Sequence, residues 1–388
     1  MMRMIPFIVI AALSLVLSLE ESNANPSPLS SRLPVIKEFP DPFLMQSGKR
    51  VTTMRDWNAR RKEIISLILE YEYGHMPPPP RNLTYQLSST ESELDGKATR
   101  RKYLLEFGIN HACKLHLEML VPNGEGPFPV ILTGDGCWGE APLQNEIIQR
   151  GYILAQFDRT EIAPDSPRRD IGVYPLYPGY DWGSLAAWAW GYSRAVDFLE
   201  KLPIVDKSRI AITGHSRGGK TVLLAGALDT RIAVTNPNDS GCGGAGSFRF
   251  QGEGSETLAS ICKVFPFWFG PNLQRFTTEV DRLPFDQHFL TSLVAPRALL
   301  LTDALGDAWG NPSGTQLVYL ATKETYRFLG ASDRLGSWYR PGEHAHNAQD
   351  WEALLDFADI QFYHKSHPDD FSGHVFPDEP TAFTWRAP

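Results

Sequence analysis

"RIAITGHSRGGKTVLLAGALD", residues 209–229, sets a serine between two glycines, directly after an apolar run and directly before a helix-forming one. Residues 209–214 have the composition of a buried strand, and "RGGKTVLLAGAL" (217–228) that of a helix. The same alternation extends outward. "PFPVILTGDG" (127–136), "GYILAQFD" (151–158), "RIAVTNP" (231–237) and "APRALLLTDA" (295–304) read as strands. "WGSLAAWAWGYSRAVDFLEKL" (182–202), "TQLVYLATKETYRFLG" (315–330) and "DWEALLDFADIQFYH" (350–364) read as helices. Strands alternating with helices predict a mostly parallel central sheet covered on both faces, a three-layer α/β sandwich. Such a sheet carries its functional loops at the carboxyl ends of its strands.

The rest of the chain limits what those loops do. Its 388 residues are 42% hydrophobic and 21% charged, as in a soluble globular protein. The net charge of −8, without a strongly basic block, argues against nucleic acid as a partner. Ten Trp, 13 Tyr and 21 Phe suit large packed cores and equally suit sugar-binding clefts. At the start, one positive charge, an apolar run to Leu19 and small residues at Ser22 and Ala24 make a secretory signal peptide over 1–24. The mature protein is therefore expected to be secreted or periplasmic, soluble and free of the membrane. Residues 25–95 read as an N-terminal segment, extended and Pro/Ser-rich to about 50. An amphipathic helix over 55–74 follows, stopped by "MPPPP" (76–80). Residues 96–388 form the main domain, opening with strands at "RRKYLLEFGI" (100–109) and "CKLHLEMLVP" (113–122). Cys113, Cys137, Cys242 and Cys262 permit two disulfides in an oxidising compartment, with three pairings. Small buried thiols are the other reading, and no pairing is assigned. None has the CxxC spacing of a zinc site.

G-x-S-x-G between a strand and a helix is the nucleophile elbow of α/β-hydrolases. Gly214 and Gly218 relieve crowding at a sharp turn, and Ser216 is left above the sheet at a helix N-terminus. A serine needs a base. Among the histidines after Ser216, His288 in "LPFDQHFL" reads as a core residue, and His364, His367 and His374 as solvated. The turn-rich "RPGEHAHNAQDW" (340–351), between the last strand and the last helix, offers His344 and His346. Two apart in an extended loop, they point oppositely, and as a metal pair they lack a third ligand. Two acids are available: Asp239, in "NPNDSGCGG", and Asp307, in "DALGDAW". An ester carbonyl turning negative would be served by the Arg217 guanidinium and by amides of "TGDGCWGE" (133–140). Lys220 is one helical turn beyond Ser216 and can face the same cleft. The other reading of Arg217 and Lys220, a solvated helix face, conflicts with the poor fit of cations at a helix N-terminus.

The elbow "GHSRGGK", "NDSGCGG", "FPFWF", "LPFDQHFL", "DAW" and "RPGEHAHNAQDW" together resemble the glucuronoyl esterases, carbohydrate esterase family fifteen. "RRKEIISLILEYEYGHMP" and "DWGSLAAWAWGYSRAVDFLE" extend the likeness over about residues 38–360. The resemblance implies an α/β-hydrolase fold. It also implies cleavage of the ester between 4-O-methyl-glucuronic acid on xylan and a lignin alcohol, so that glucuronoxylan or a lignin–carbohydrate ester is the expected partner. It implies Ser216 as nucleophile, His344 as base, Arg217 at the oxyanion, Lys220 at the ring hydroxyls, and Glu253 and Trp309 at the sugar. Asp239 matches the position the family usually gives to Glu, and Asp307 the place where most α/β-hydrolases keep their acid. Asp is one methylene shorter than Glu, which favours Asp307 as the main partner of His344 with Asp239 contributing. His215 stands where the fungal members have a disulfide-forming Cys, so that bridge is absent. No metal or cofactor and a monomeric state are expected. Another carbohydrate esterase, such as an acetylxylan esterase, and a non-catalytic hydrolase-fold binding protein are the alternatives.

Overall fold

A computed structural model describes residues 32–367 and 371–388; the signal-peptide segment 1–24 lies outside the described residues. Among the described residues nine strands form one sheet: β1 Thr84–Glu93, β2 Ala98–Phe107, β3 Cys113–Pro122, β4 Phe128–Thr133, β5 Ile153–Phe157, β6 Val205–His215, β7 Val234–Asn238, β8 Ala298–Ala304 and β9 Leu335–Arg340. Their spatial order is β1-β2-β3-β5-β4-β6-β7-β8-β9. The first three strands are antiparallel and join β5 antiparallel; β5, β4, β6, β7, β8 and β9 run parallel. The helices are α1 Met54–Ile68, α2 Gln144–Gln149, α3 Ser184–Leu199, α4 Arg217–Leu228, α5 Leu258–Val264, α6 Gln287–Ser292, α7 Pro312–Phe328 and α8 Ala348–Tyr363.

The period-two pleat divides the apolar strand residues between two cores. Val130, Leu132, Ile210, Ile212, Leu299 and Leu301 pack with α1, α3, α4 and α6 on one face. Ile131, Ala211, Val234 and Leu300 pack with α2 and α8 on the other. The expected three-layer α/β sandwich is therefore the observed one. α4 spans the expected 217–228, while β6 begins at Val205, earlier than the apolar run. β1 lies inside the stretch 25–95 read as an N-terminal segment and pairs along its length with β2, so the sheet begins before residue 95. The cysteines are all free; Cys113, Cys242 and Cys262 are buried and Cys137 half-buried. His288 is a core residue, its Nε2 2.8 Å from the Pro40 carbonyl. Among the described residues no helix is long and apolar enough to cross a membrane.

The helix expected over 55–74 changes character at residue 69. α1 starts on a Thr53 cap and buries Trp57, Ile64 and Ile68, then widens into a π-turn over Leu69–Tyr73. Gly74 ends it at φ 77°, where a Cβ would lie 2.5 Å from the Asp181 carbonyl oxygen. The π-turn points Glu72 into the core. Its Oε1 accepts from Gln287 Nε2 at 2.8 Å, and Oε2 has no partner.

Burial pushes the Glu72 carboxyl up to about 8, against a usual 4.5. The folded chain thus keeps a proton that the unfolded chain releases, and stability falls as pH rises from about 4.5 to about 8. Glu72→Gln removes this penalty while keeping the acceptor for Gln287. The variant should gain stability over the wild type progressively from pH 5 to pH 8, at no more than about 1.4 kcal/mol per pH unit. Urea unfolding at several pH values reads the difference, and a gain independent of pH would refute the protonated Glu72.

Candidate active site

The elbow is built by close approach. Ser216 sits between β6 and α4 at φ 56° and ψ −121°, a sparsely populated conformation. A Cβ on Gly214 would lie 2.7 Å from the Gly218 backbone, and one on Gly218 would lie 2.3 Å from Asp135 Oδ1. Both glycines are therefore required by contact. Asp135, in the turn after β4, ties that turn to the elbow: its Oδ2 accepts from the His215 amide at 2.8 Å, and its Oδ1 takes the buried Arg159 guanidinium. Burial raises the Asp135 pKa, while Arg159 and the His215 amide oppose the rise. Ser216 itself is half-buried, its amide donating to the Asn238 carbonyl at the end of β7.

Of the two competing histidines, His344 meets an acid. Its Nδ1 lies 2.6 Å from Asp307 Oδ2, and its side chain is 41% exposed. Burial works to raise the Asp307 pKa, yet the hydrogen bond and charge of His344 hold it below the usual carboxylate range. Asp307 Oδ1 also accepts from the Gly310 amide at 3.1 Å, which fixes the turn that carries Trp309. His346 points elsewhere. It stacks on Trp351, ring centroids 5.1 Å apart, and burial holds its pKa well below that of a free imidazole.

Asp239 has other partners. Its Oδ1 accepts from the Ala304 amide at 2.7 Å, and its Oδ2 from Arg340 Nη2 and the Ala345 amide, both at 3.3 Å. Burial, with the neighbouring Asp307 charge adding, pushes its carboxyl up to about 6. Asp239, Asp307 and His344 bring ligand atoms within 4.8 Å of one another. Each is already engaged in the bonds just described, an arrangement that suits an imidazole anchored to a carboxylate better than a cation cage.

The cationic side of the site lies along α4. The Lys220 ammonium is buried, donates to the Ser240 carbonyl at 2.6 Å and lies 3.8 Å from Glu256 Oε2. Burial lowers its pKa, with Glu256 resisting; burial raises that of Glu256, with Lys220 resisting. Trp309, 53% exposed, has its side chain beside the Glu256 carboxylate, and its carbonyl accepts from the Glu256 amide at 3.0 Å. Glu253, the carboxylate singled out in the sequence, is exposed three residues earlier; Glu256 is the one beside Lys220. Arg217 Nη1 donates to Asp165 Oδ2 at 2.5 Å, and the guanidinium lies over Trp268 at 4.7 Å. Trp268 Nε1 donates to Asp165 Oδ1 at 2.7 Å, and Arg217 Nε is buried without a partner. The sequence pointed to Ser216, Arg217, Lys220, Asp239, Glu253, Asp307, Trp309 and His344 for this cleft. It gave no signal for Asp135, Asp165, Glu256 or Arg340, which act through contacts between distant segments.

A hydroxyl at a strained elbow, an imidazole whose Nδ1 is fixed by a carboxylate, and a guanidinium on the residue after the serine are parts that acyl transfer can use. A family profile described as "Glucuronyl esterase, fungi" matches residues 109–330. The chain is 31% identical to a carbohydrate esterase from an unknown prokaryotic organism, over 83% of this chain and 89% of that one. It is 32% identical to the 4-O-methyl-glucuronoyl methylesterase of Podospora anserina, over 78% of this chain but only 63% of the relative's length. Among solved structures, the family 15 glucuronoyl esterase of Caldicellulosiruptor kristjansonii superposes with a TM-score of 0.79 at 31% identity, covering 93% of this chain and all of that one. The glucuronoyl esterase of Sporotrichum thermophile, as a serine-to-alanine mutant with methyl 4-O-methyl-β-D-glucopyranuronate, gives 0.72 at 27% identity, covering 87% and 90%.

The two aspartates should separate on mutation. Asp307→Asn leaves His344 without its anion and should cut kcat on a carboxylic ester by about 10³–10⁴-fold with little change in Tm. Asp239→Asn removes a counter-ion of Arg340 and should lower Tm, with kcat falling by about tenfold as the base loop loosens. A nearly silent Asp307→Asn beside an inert Asp239→Asn would reverse the assignment.

Proposed function

The chain belongs to the glucuronoyl esterase family and is a carboxylic ester hydrolase of α/β-hydrolase fold, and from this we propose that it cleaves uronate esters joining glucuronoxylan to lignin. The acyl part is glucuronic acid or its 4-O-methyl ether, and the leaving group an alcohol of lignin. The enzyme works outside the cytoplasm, secreted or periplasmic after loss of residues 1–24, as a monomer without metal or cofactor.

Ser216 attacks the ester carbonyl, and His344 takes its proton and later delivers it to the leaving alcohol. Asp307 holds His344 in the tautomer that leaves Nε2 free and stabilises the imidazolium. The developing oxyanion takes N–H donors from Arg217 and from the turn after β4. One such donor is worth roughly 3–4 kcal/mol of barrier. Asp165 and Trp268 keep the guanidinium plane in place before the reaction starts, so no reorganisation is needed at the moment of charge development.

The observation that carries the substrate class is Lys220, a buried ammonium one helical turn from the nucleophile with a carboxylate 3.8 Å away and an exposed indole beside that carboxylate. An ammonium donor, a carboxylate acceptor and an aromatic face are what adjacent sugar hydroxyls require. In this reading Glu256 takes the sugar-contacting role that the family resemblance lent to Glu253.

Lys220→Met keeps the apolar stem and removes the donor. It should raise KM for methyl glucuronate by about 10–100-fold, the worth of a hydrogen bond to a charged group, with kcat changed much less. Turnover of a simple acetyl ester should stay within about twofold of wild type. Equal losses on both esters would argue for a structural Lys220. A wild-type enzyme that prefers acetyl over uronate esters would overturn the proposed substrate.

A further inference from the structure

His215 is neither nucleophile nor base, yet its ring is among the best-fixed groups of the site. Its Nδ1 lies 2.7 Å from Asn238 Oδ1. The Asn238 amide nitrogen donates to Thr302 Oγ1 at 3.2 Å, so Asn238 presents its oxygen and His215 Nδ1 carries the proton. The His215 backbone is held by Asp135, and Trp138 meets its ring edge-on at 5.9 Å. The side chain is only 13% exposed.

Against this fixed ring lies the imidazole of His344, centroids 4.3 Å apart and planes tilted by 43°. His215 also stacks with His346 at 5.8 Å and 22°, and His346 with Trp351 at 5.1 Å and 28°. Four rings therefore run in series from the first turn of α8 to the base. His344 needs that support. It is 41% exposed, lies in a loop outside the sheet, and is held by Asp307 at Nδ1. A single hydrogen bond fixes one point of a ring and leaves rotation about that bond free; a second ring packed against it at 4.3 Å limits that rotation.

We propose that His215 is a positioning residue for His344, the platform that sets the plane of the base, with His346 and Trp351 bracing it from behind. The inference rests on His344 being the base. The platform is also uncharged when it is needed: burial first, and the charge of His344 second, hold His215 down to about 4, so it does not repel the imidazolium formed in turnover. The charged groups facing it are Asp135 from the turn after β4, Asp239 beyond β7 at 4.0 Å, Asp307 beyond β8 and Arg340 of β9.

The test uses whichever carboxylic ester the wild type hydrolyses. His215→Ala, with folding checked by Tm, should lose about 10–100-fold in kcat while KM stays within about twofold, the signature of a misplaced catalytic group. His215→Phe restores a flat ring without the Asn238 bond and should recover most of that loss. Should His215→Ala fail to fold, His346→Ala carries the test, with an expected loss of about three- to tenfold in kcat at unchanged KM. A folded His215→Ala with kcat within twofold of wild type, a loss confined to KM, a Phe variant no better than Ala, or a silent His346→Ala where it carries the test overturns the proposal. A His344→Ala enzyme that keeps its activity overturns both readings; an inert His344→Ala beside a silent His215→Ala overturns only this one.

Discussion

The guanidinium of Arg340, 2% exposed at the end of β9, holds together the loop that carries His344. Its Nε donates to both oxygens of Asp350, at 2.8 and 2.9 Å. Nη1 reaches the carbonyls of Pro341 and Glu343, and Nη2 the Ala345 carbonyl and Asp239. The loop from β9 to α8 is thus wrapped around a cation through three of its own carbonyls. Asp350 belongs at the same time to the capping box that starts α8 on Asn347. A buried charge with all its partners in place costs little, but removing one partner costs about 3–5 kcal/mol. The loop conformation that presents His344 is therefore coupled to the fold itself.

That coupling explains why two aspartates within reach of one histidine do different work. Asp239 faces the cation, and its remaining acceptor capacity goes to the Ala304 and Ala345 amides. Asp307 faces the imidazole. Three carboxylates crowd this end of the sheet, and they do not share charge equally. Burial raises Asp239 and raises Asp303 well above the carboxylate range, whereas the bond from His344 keeps Asp307 low. Asp307 is thus the most readily ionised of the three, and it is the one beside the imidazole.

Much of this was legible in the sequence because the parallel strands are buried on both faces and read as continuous apolar runs between turn signals. The elbow is local: its two glycines, serine and helix lie within fifteen residues, so pattern and structure agree there. β1 was missed because "TYQLSSTESE" is an exposed edge strand with a polar face, specified by its partner β2 rather than by its own periodicity. The π-turn at 69–73 was missed because it keeps the composition of the helix it ends. Glu253 and Glu256 lie in a loop with no period to set which of them turns inward; the backbone bond from Glu256 to Trp309, 53 residues away, decides it. Asp135 and Asp165 matter only through segments brought together by the sheet order.

The site is a set of strand-end loops, each anchored from beneath by a buried charge pair. Asp135 with Arg159 fixes the turn after β4, and Arg340 with Asp239 and Asp350 fixes the loop that carries His344. Buried pairs contribute little net stability compared with apolar packing, so their value here is geometric. They hold the loops without covering them. Trp138, Leu305 and Trp309 are each between two-fifths and just over half exposed around the cleft, an apolar rim that a lid would otherwise have to hide. Because these contacts lie beneath the loops, the positions of His344 and Asp307 are set without covering the mouth of the cleft.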